Sequence, residues 1–231
     1  MKGLHVRLEA FSASYPYPFL KSGTQLTMPA PPLSCILGNL SACAGRAVGP
    51  GETQIGFEFR AQGKAIDLER TRRLRMDSKT GRLSANPEQG IGYREFHVKP
   101  ALDLYLSAAS FEHYFVSPAA VPCLGRSQDL AWITLVRLIE LRPIEFGKIR
   151  RTLVPFPNFQ IGGQVLPPIA DYFVNDRLGS TRRVGRLSRY QHVPDVEEGV
   201  DVRGSDAFLI YHPEDSDLPG HAVYLHNLHQ P

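Results

Sequence analysis

Gly3-Leu4-His5-Val6-Arg7-Leu8-Glu9-Ala10-Phe11 alternates: Leu4, Val6, Leu8 and Ala10 fall on one side, His5, Arg7 and Glu9 on the other. A period of two marks a strand with one face on a core, so the chain is expected to open on a half-buried strand. Residues 12–32, rich in Pro, Tyr, Ser and Gly, hold no period and read as a long ordered loop. Pro31 and Pro32 then precede Leu33, Ile36, Leu37, Leu40 and Ala44, which recur at helical spacing, with Gly45 placed to cap the end. The spacing predicts a helix over 33–45, and its small residues, Ser34, Gly38, Ser41 and Ala42, permit close backbone approach. Residues 53–59 alternate again through Ile55, Phe57 and Phe59, a second strand.

Residues 64–99 behave differently. Strand-like stretches flank Asp77-Ser78-Lys79-Thr80-Gly81, a hairpin signal with Gly available for a left-handed position. Leu68, Arg70, Arg72 and Leu74 share one face, and Glu69, Thr71, Arg73 and Arg75 the other, so neither face is apolar enough to lie on a core. A ribbon projecting from the body is expected, ended by Gly90-Ile91-Gly92-Tyr93. Alternation resumes over residues 94–106, with a bend at Pro100, and 107–116 suits a short helix. Residues 130–141 read as a buried strand, although their periodicity leaves a helix open. Beyond 144 the elements are short, with closing strands at 207–211 and 222–225. No repeat and no clean linker occur, which favours one α+β body with insertions over two domains.

With 231 residues, 42% of them hydrophobic, the chain can bury a real core. Its 26 Lys plus Arg against 23 Asp plus Glu give only +3, yet the distribution is uneven. Segment 61–99 carries 9 basic and 5 acidic residues, 177–194 carries 5 and none, and 195–231 carries 1 and 8. The near-neutral total therefore hides two basic blocks and one acidic tail. Lys2, Arg7 and Glu9 interrupt any apolar leader, and the longest apolar run, 130–136, is far short of the roughly 20 residues that span a bilayer. A cytoplasmic protein with no membrane partner is expected. Cys35, Cys43 and Cys123 are odd in number and lack C-x-x-C pairing, which argues against a disulfide scaffold or a structural zinc site.

No Walker loop, G-x-S-x-G or H-E-x-x-H occurs. Gly90-Ile91-Gly92 precedes a strand instead of opening a helix, so it reads as a turn and not as a phosphate loop. His221, His226 and His229 lack a firm fourth ligand and read as surface histidines; no metal and no cofactor are expected. Lys64, Arg70, Arg72, Arg73, Arg75, Lys79 and Arg82 put cations on both faces of the ribbon, suited to phosphate oxygens, although a solvated loop balanced by Asp67, Glu69 and Asp77 has the same composition. In the second block, Arg177, Arg182, Arg183, Arg186 and Arg189 are joined by Tyr190 and His192. Charge for a backbone and rings for bases are what single-stranded nucleic acid requires; the alternative is a loop facing the acidic tail. Tyr93, His97 and Lys99 lie two apart and would share a strand face with Glu95. They are the candidates for a metal-independent ribonuclease, and any half-buried strand with a polar outer face shows the same pattern.

Arg7-Leu8-Glu9-Ala10-Phe11, running through Pro16-Tyr17-Pro18-Phe19 to Pro31-Pro32-Leu33-Ser34-Cys35-Ile36-Leu37-Gly38, resembles the amino-terminal signature of the CRISPR-associated "Cas-five" family. Ile66-Asp67-Leu68-Glu69-Arg70-Thr71, Gln89-Gly90-Ile91-Gly92 with Arg94-Glu95-Phe96, and Leu124-Gly125-Arg126-Ser127 continue the likeness in order over residues 3–141. The subgroup most similar is that of type I-B complexes; Cys35 stands where a hydroxyl is common. The resemblance implies a ferredoxin-like, RNA-recognition-type body of the RAMP class over 1–141, an inserted hairpin thumb at 64–92, and a β-rich extension over 142–231. It implies a non-catalytic Cascade subunit that grips the 5′ handle of the CRISPR RNA, caps the backbone subunits and adjoins the large subunit, touching target DNA only indirectly. Processing would fall to a separate nuclease, although members of one subtype cut the repeat themselves, for which Tyr93, His97 and Lys99 are the candidates. The RNA would meet Ser34 at the helix start, Lys64, Arg70, Arg72, Arg73, Arg75, Gly90, Gly92 and Arg94 on the thumb, Arg126, and the second block at Arg182, Arg183, Arg186 and Arg189.

Overall fold

In the computed structural model, which describes residues 1–20, 23–71, 74–85, 90–175 and 182–228, the opening alternation becomes β1 (Lys2–Ala10). Leu4, Val6 and Leu8 are fully buried under α1 (Leu33–Ala44), whose own buried stripe is Leu33, Ile36, Leu37, Leu40 and Cys43. Each of these aliphatic side chains contributes about 1.5–3 kcal/mol by leaving water. Gly45 ends the helix in the left-handed region, φ 67°, with its N–H on the Ala42 carbonyl.

After α1 come β2 (Ile55–Arg60), then a ribbon of β3 (Gly63–Thr71), β4 (Leu74–Met76), β5 (Leu83–Ala85) and β6 (Gly90–Val98). The chain returns through β7 (Ala101–Leu106), the single turn α2 (Glu112–Val116) and β8 (Ala131–Ile144). Thereafter β9 (Ile169–Asn175) pairs with β10 (Arg182–Ser188), while β11 (Ile210–Pro213) and β12 (Val223–Tyr224) join the main sheet. That sheet has six strands in the order β12-β11-β8-β1-β7-β2, every pair antiparallel. Its central part runs strand-helix-strand-strand-helix-strand, and the four strands lie fourth, first, third, second across it. His226 exchanges backbone hydrogen bonds with Ile55, 2.8 and 3.1 Å, so the end of the chain reaches β2 and the sheet curls towards a barrel.

The molecule is mostly β, 49% strand against 9% helix, so the expected α+β body carries little helix. Three expectations of burial change. β1 is buried on both sides at His5, 5% exposed, where the C-terminal segment covers the face turned away from α1, while Arg7 and Glu9 stay part-exposed. Residues 130–141 are strand and not helix, but only partly buried: Leu138 is 53% exposed. His221 and His226 are not surface residues; they are buried as the chain folds back, His221 against Glu58 and Ser216, His226 donating from Nε2 to the Leu153 carbonyl at 2.9 Å. His229 lies outside the described residues.

The ribbon projects as expected, β3 and β6 pairing from Gly63↔Val98 to Thr71↔Gly90. Its turn is the Asp77 segment, where Asp77 Oδ1 accepts the Lys79 and Thr80 amides and Gly81 takes φ 65°. β6 runs unbroken from Gly90, so Gly90-Ile91-Gly92-Tyr93 starts the returning strand and does not end the ribbon; the break comes at Lys99, φ 47°, and Pro100, where the bend was expected.

Candidate nucleic-acid interface

The N-terminus of α1 is uncapped. Pro32 offers no side-chain acceptor, the first turn holds no acid, and the Pro32 carbonyl takes only the Cys35 and Ile36 amides. Among the described residues the Leu33 and Ser34 amides have no acceptor, which leaves donors at the positive end of the helix. β9 and β10 pack across this end and enclose a cavity of about 480 Å³ walled by Tyr15, Met28, Ile169, Phe173 and Leu187, with Ser34, Cys35 and Arg126 on its lining. Burial pushes the Cys35 thiol up to about 11, against the pull of Arg182 nearby.

In the β9–β10 arm, Arg182 stacks over the Phe173 ring, 4.5 Å from its centroid. Arg183 and Arg189 are exposed. Arg186 is engaged within the fold, since Asp171, fully buried, accepts from Arg186 Nε, Ser188 Oγ and Tyr190 Oη, each at 2.5 Å. Burial beside Asp171 drives the Tyr190 hydroxyl far above its ordinary range, so it stays a neutral donor. Arg126 is likewise engaged, its fork bidentate on buried Asp129 at 2.8 Å twice. The adjoining Gly125 sits at φ 107°, where a Cβ would stand 2.1 Å from the Ser14 carbonyl oxygen.

On the ribbon, Lys64 reaches Glu95 at 3.1 Å and Arg94 pairs with Glu69. Arg70 and Arg75 are exposed, and the Arg75 guanidinium has no partner among the described residues. Gly90 opens β6, and at Gly92 a Cβ would come 2.9 Å from the Gly23 carbonyl oxygen. Arg72, Arg73 and Arg177 lie outside the described residues. The structure thus gathers Ser34 and Arg126 on one cavity, sets Arg182 over the Phe173 ring of its wall, and leaves Arg70 and Arg75 out on the ribbon.

Tyr93 and His97 share a face, yet Tyr93 is 57% exposed while His97 is 4% exposed and donates from Nε2 to the Met28 carbonyl. Burial lowers the His97 pKa. Lys99, beyond the strand end, lies on a different cavity. No open constellation of the three forms. Sequence reading passed over Asp171 and Phe173. The signal was present: Asp171 lies just outside the acid-free block, and Phe173 shares a strand alternation with it. Among the described residues no cluster of His, Cys, Asp or Glu is placed to hold a metal, and no helix is long and apolar enough to cross a membrane.

No family model matches the chain, and no curated protein matches it in sequence. Its fold is nevertheless shared with solved structures from CRISPR-associated complexes. A chain of a CRISPR RNA-guided surveillance complex superposes with a TM-score of 0.57 at 17% identity, over 87% of this chain and 91% of its own. A chain of the Type III-B Cmr-beta complex bound to cognate target RNA and AMPPnP superposes with a TM-score of 0.50 at 10% identity, over 88% and 86%.

Proposed function

We propose that the chain is a non-catalytic subunit of a CRISPR RNA-guided complex, of the type I-B kind, that binds the 5′ handle of the CRISPR RNA. On this reading the body over 1–141 is ferredoxin-like, the thumb at 64–92 and the arginine arm follow RNA, and 142–231 is an extension of the same body. Backbone subunits and the large subunit are its protein partners. The observation that carries the proposal is the meeting of free α1 amides with Ser34 and Arg126 on one cavity, whose Phe173 wall carries the stacked Arg182: amides and guanidinium for phosphate, an apolar wall for a base. The shared fold and the strand order fourth, first, third, second support the ferredoxin-like reading. Buried, desolvated His97 offers little as a general base, which supports the non-catalytic role.

The test incubates the purified protein with end-labelled repeat RNA in EDTA. Salt-dependent binding of intact RNA, weakened by Arg182→Glu, is the expected result. A single cut leaving a 2′,3′-cyclic phosphate, abolished by His97→Ala, would overturn the proposal.

A further inference from the structure

The side of the main sheet turned away from α1 is divided. At one end the C-terminal segment covers it, with Asp215 on His5 and Val223 and Leu225 packed against Tyr105, Ile139 and Leu141. At the other end that cover stops. The register sets Trp132 beside Glu9, Glu9 beside Ala101 and Ala101 beside Arg60, so these four form a row across the sheet. They line an open cavity of about 520 Å³ that shares no residue with the one at α1.

Phe11, 76% exposed, meets the edge of Trp132, 42% exposed, with ring centroids 5.1 Å apart. Arg60 and Lys99 are exposed on the same cavity, and neither has an ion-pair partner among the described residues, whereas Arg151 is held by Asp195. Among the described residues, the non-glycine positions with positive φ are Lys99, 47°, and Arg151, 52°, and both line this cavity. Such backbone is uncommon for residues with a Cβ and gathers at functional surfaces. The Phe11 carbonyl accepts the Lys99 amide at 2.9 Å, which fixes cation and ring together.

We propose that this open end of the sheet is a stacking platform for single-stranded nucleic acid. One base lies on Trp132 and Phe11, and the flanking phosphates meet Arg60 and Lys99. Exposed rings beside unpaired cations supply both things a single strand needs, and Glu9 on the floor can accept from a base amino group. The inference does not depend on the handle-binding reading.

Trp132 is the chain's single tryptophan, so its fluorescence reports this place alone. The full chain is titrated with single-stranded cytidine and deoxycytidine oligomers, which carry the amino group and differ only in the 2′-hydroxyl. Saturable quenching is expected, its apparent affinity about tenfold weaker in Phe11→Ala and weaker again in Arg60→Glu with Lys99→Glu, but unmoved by Arg182→Glu. Comparing the two oligomers decides between RNA and DNA as the strand. Arg60→Gln with Lys99→Gln serves as the milder pair if the reversal melts early. No quenching by either oligomer, quenching that the cation variants leave intact, or quenching only when a protein subunit is added would each overturn the platform.

Discussion

Two basic ribbons leave this molecule, and they use their cations differently. In the β9–β10 arm the central arginine is built in: Arg186 stands on a carboxylate with no exposure, which Ser188 and Tyr190 also address. In the β3–β6 ribbon Lys64 pairs with Glu95 and Arg94 with Glu69, while Arg75 towards the tip stands in solvent. Similar composition therefore hides opposite energetics. A cation paired with a buried acid holds the fold, and removing its partner is costly; a solvated cation contributes little to stability and is available to a ligand.

The largest effect belongs to the arm. Asp171→Ala leaves the Arg186 charge and two hydroxyls without their acceptor, and should lower unfolding free energy by about 3–5 kcal/mol, read from denaturant midpoints. A loss below about 1 kcal/mol, the range of a solvated pair, would erase the contrast between the ribbons.

An intermediate effect comes from His5, in the body. Burial alone would lower the His5 pKa, but the hydrogen bonds it donates to Asp103 and Asp215 outweigh it and leave the imidazole raised. Burial would raise Asp103 and Asp215, and their bonds to His5 (joined at Asp103 by Arg7) leave both lowered. The carboxylates' share of stability is present above their unfolded value, about 3.9, and fades as pH falls through their depressed folded values; the His5 share is present below about 6.5 and fades as pH rises through its raised folded value. Stability should therefore peak between those limits. Asp215→Asn should remove about 1–3 kcal/mol and flatten the profile, measured by thermal melts across pH; an unchanged profile would detach His5 from the comparison.

The smallest effect on stability, and the sharpest contrast, is at the ribbon tip. Arg75→Glu with Arg82→Glu should shift unfolding by no more than about 0.5 kcal/mol. The same change should reduce the salt slope of RNA binding by about 0.7 for each phosphate that the ribbon ceases to neutralise. A stability loss as large as that of Asp171→Ala would make the ribbon structural.

Much of the fold was legible because its periodicities are clean. Leu4, Val6 and Leu8 gave the first strand, the stripe from Leu33 to Leu40 gave α1, and the Asp77 turn marked the ribbon. What stayed hidden depends on contacts between residues far apart in the chain. His221 looks like a tail residue until Glu58, 163 positions away, is beside it. Trp132 reads as part of a buried strand until it is seen that the C-terminal cover ends before reaching it. The apolar patch of Ile66 and Leu68 beside Ile91 and Tyr93 on the ribbon was missed because it is assembled from two strands, each of which looks mixed alone. The arginine block was found by counting charge, but counting could not separate Arg182 on its ring from Arg186 on its carboxylate.

The pairing of His226 with Ile55 bears on how the protein is made. Synthesis runs from the N-terminus, so β2 emerges from the ribosome some 170 residues before the segment that covers its outer edge. Until then the Ile55 end of β2 presents unsatisfied backbone groups to any neighbouring chain, even after Arg151 has taken the Phe59 amide. Stalled or truncated products lacking residue 226 should thus be the species that aggregate, even though α1 and the central strands are already in place.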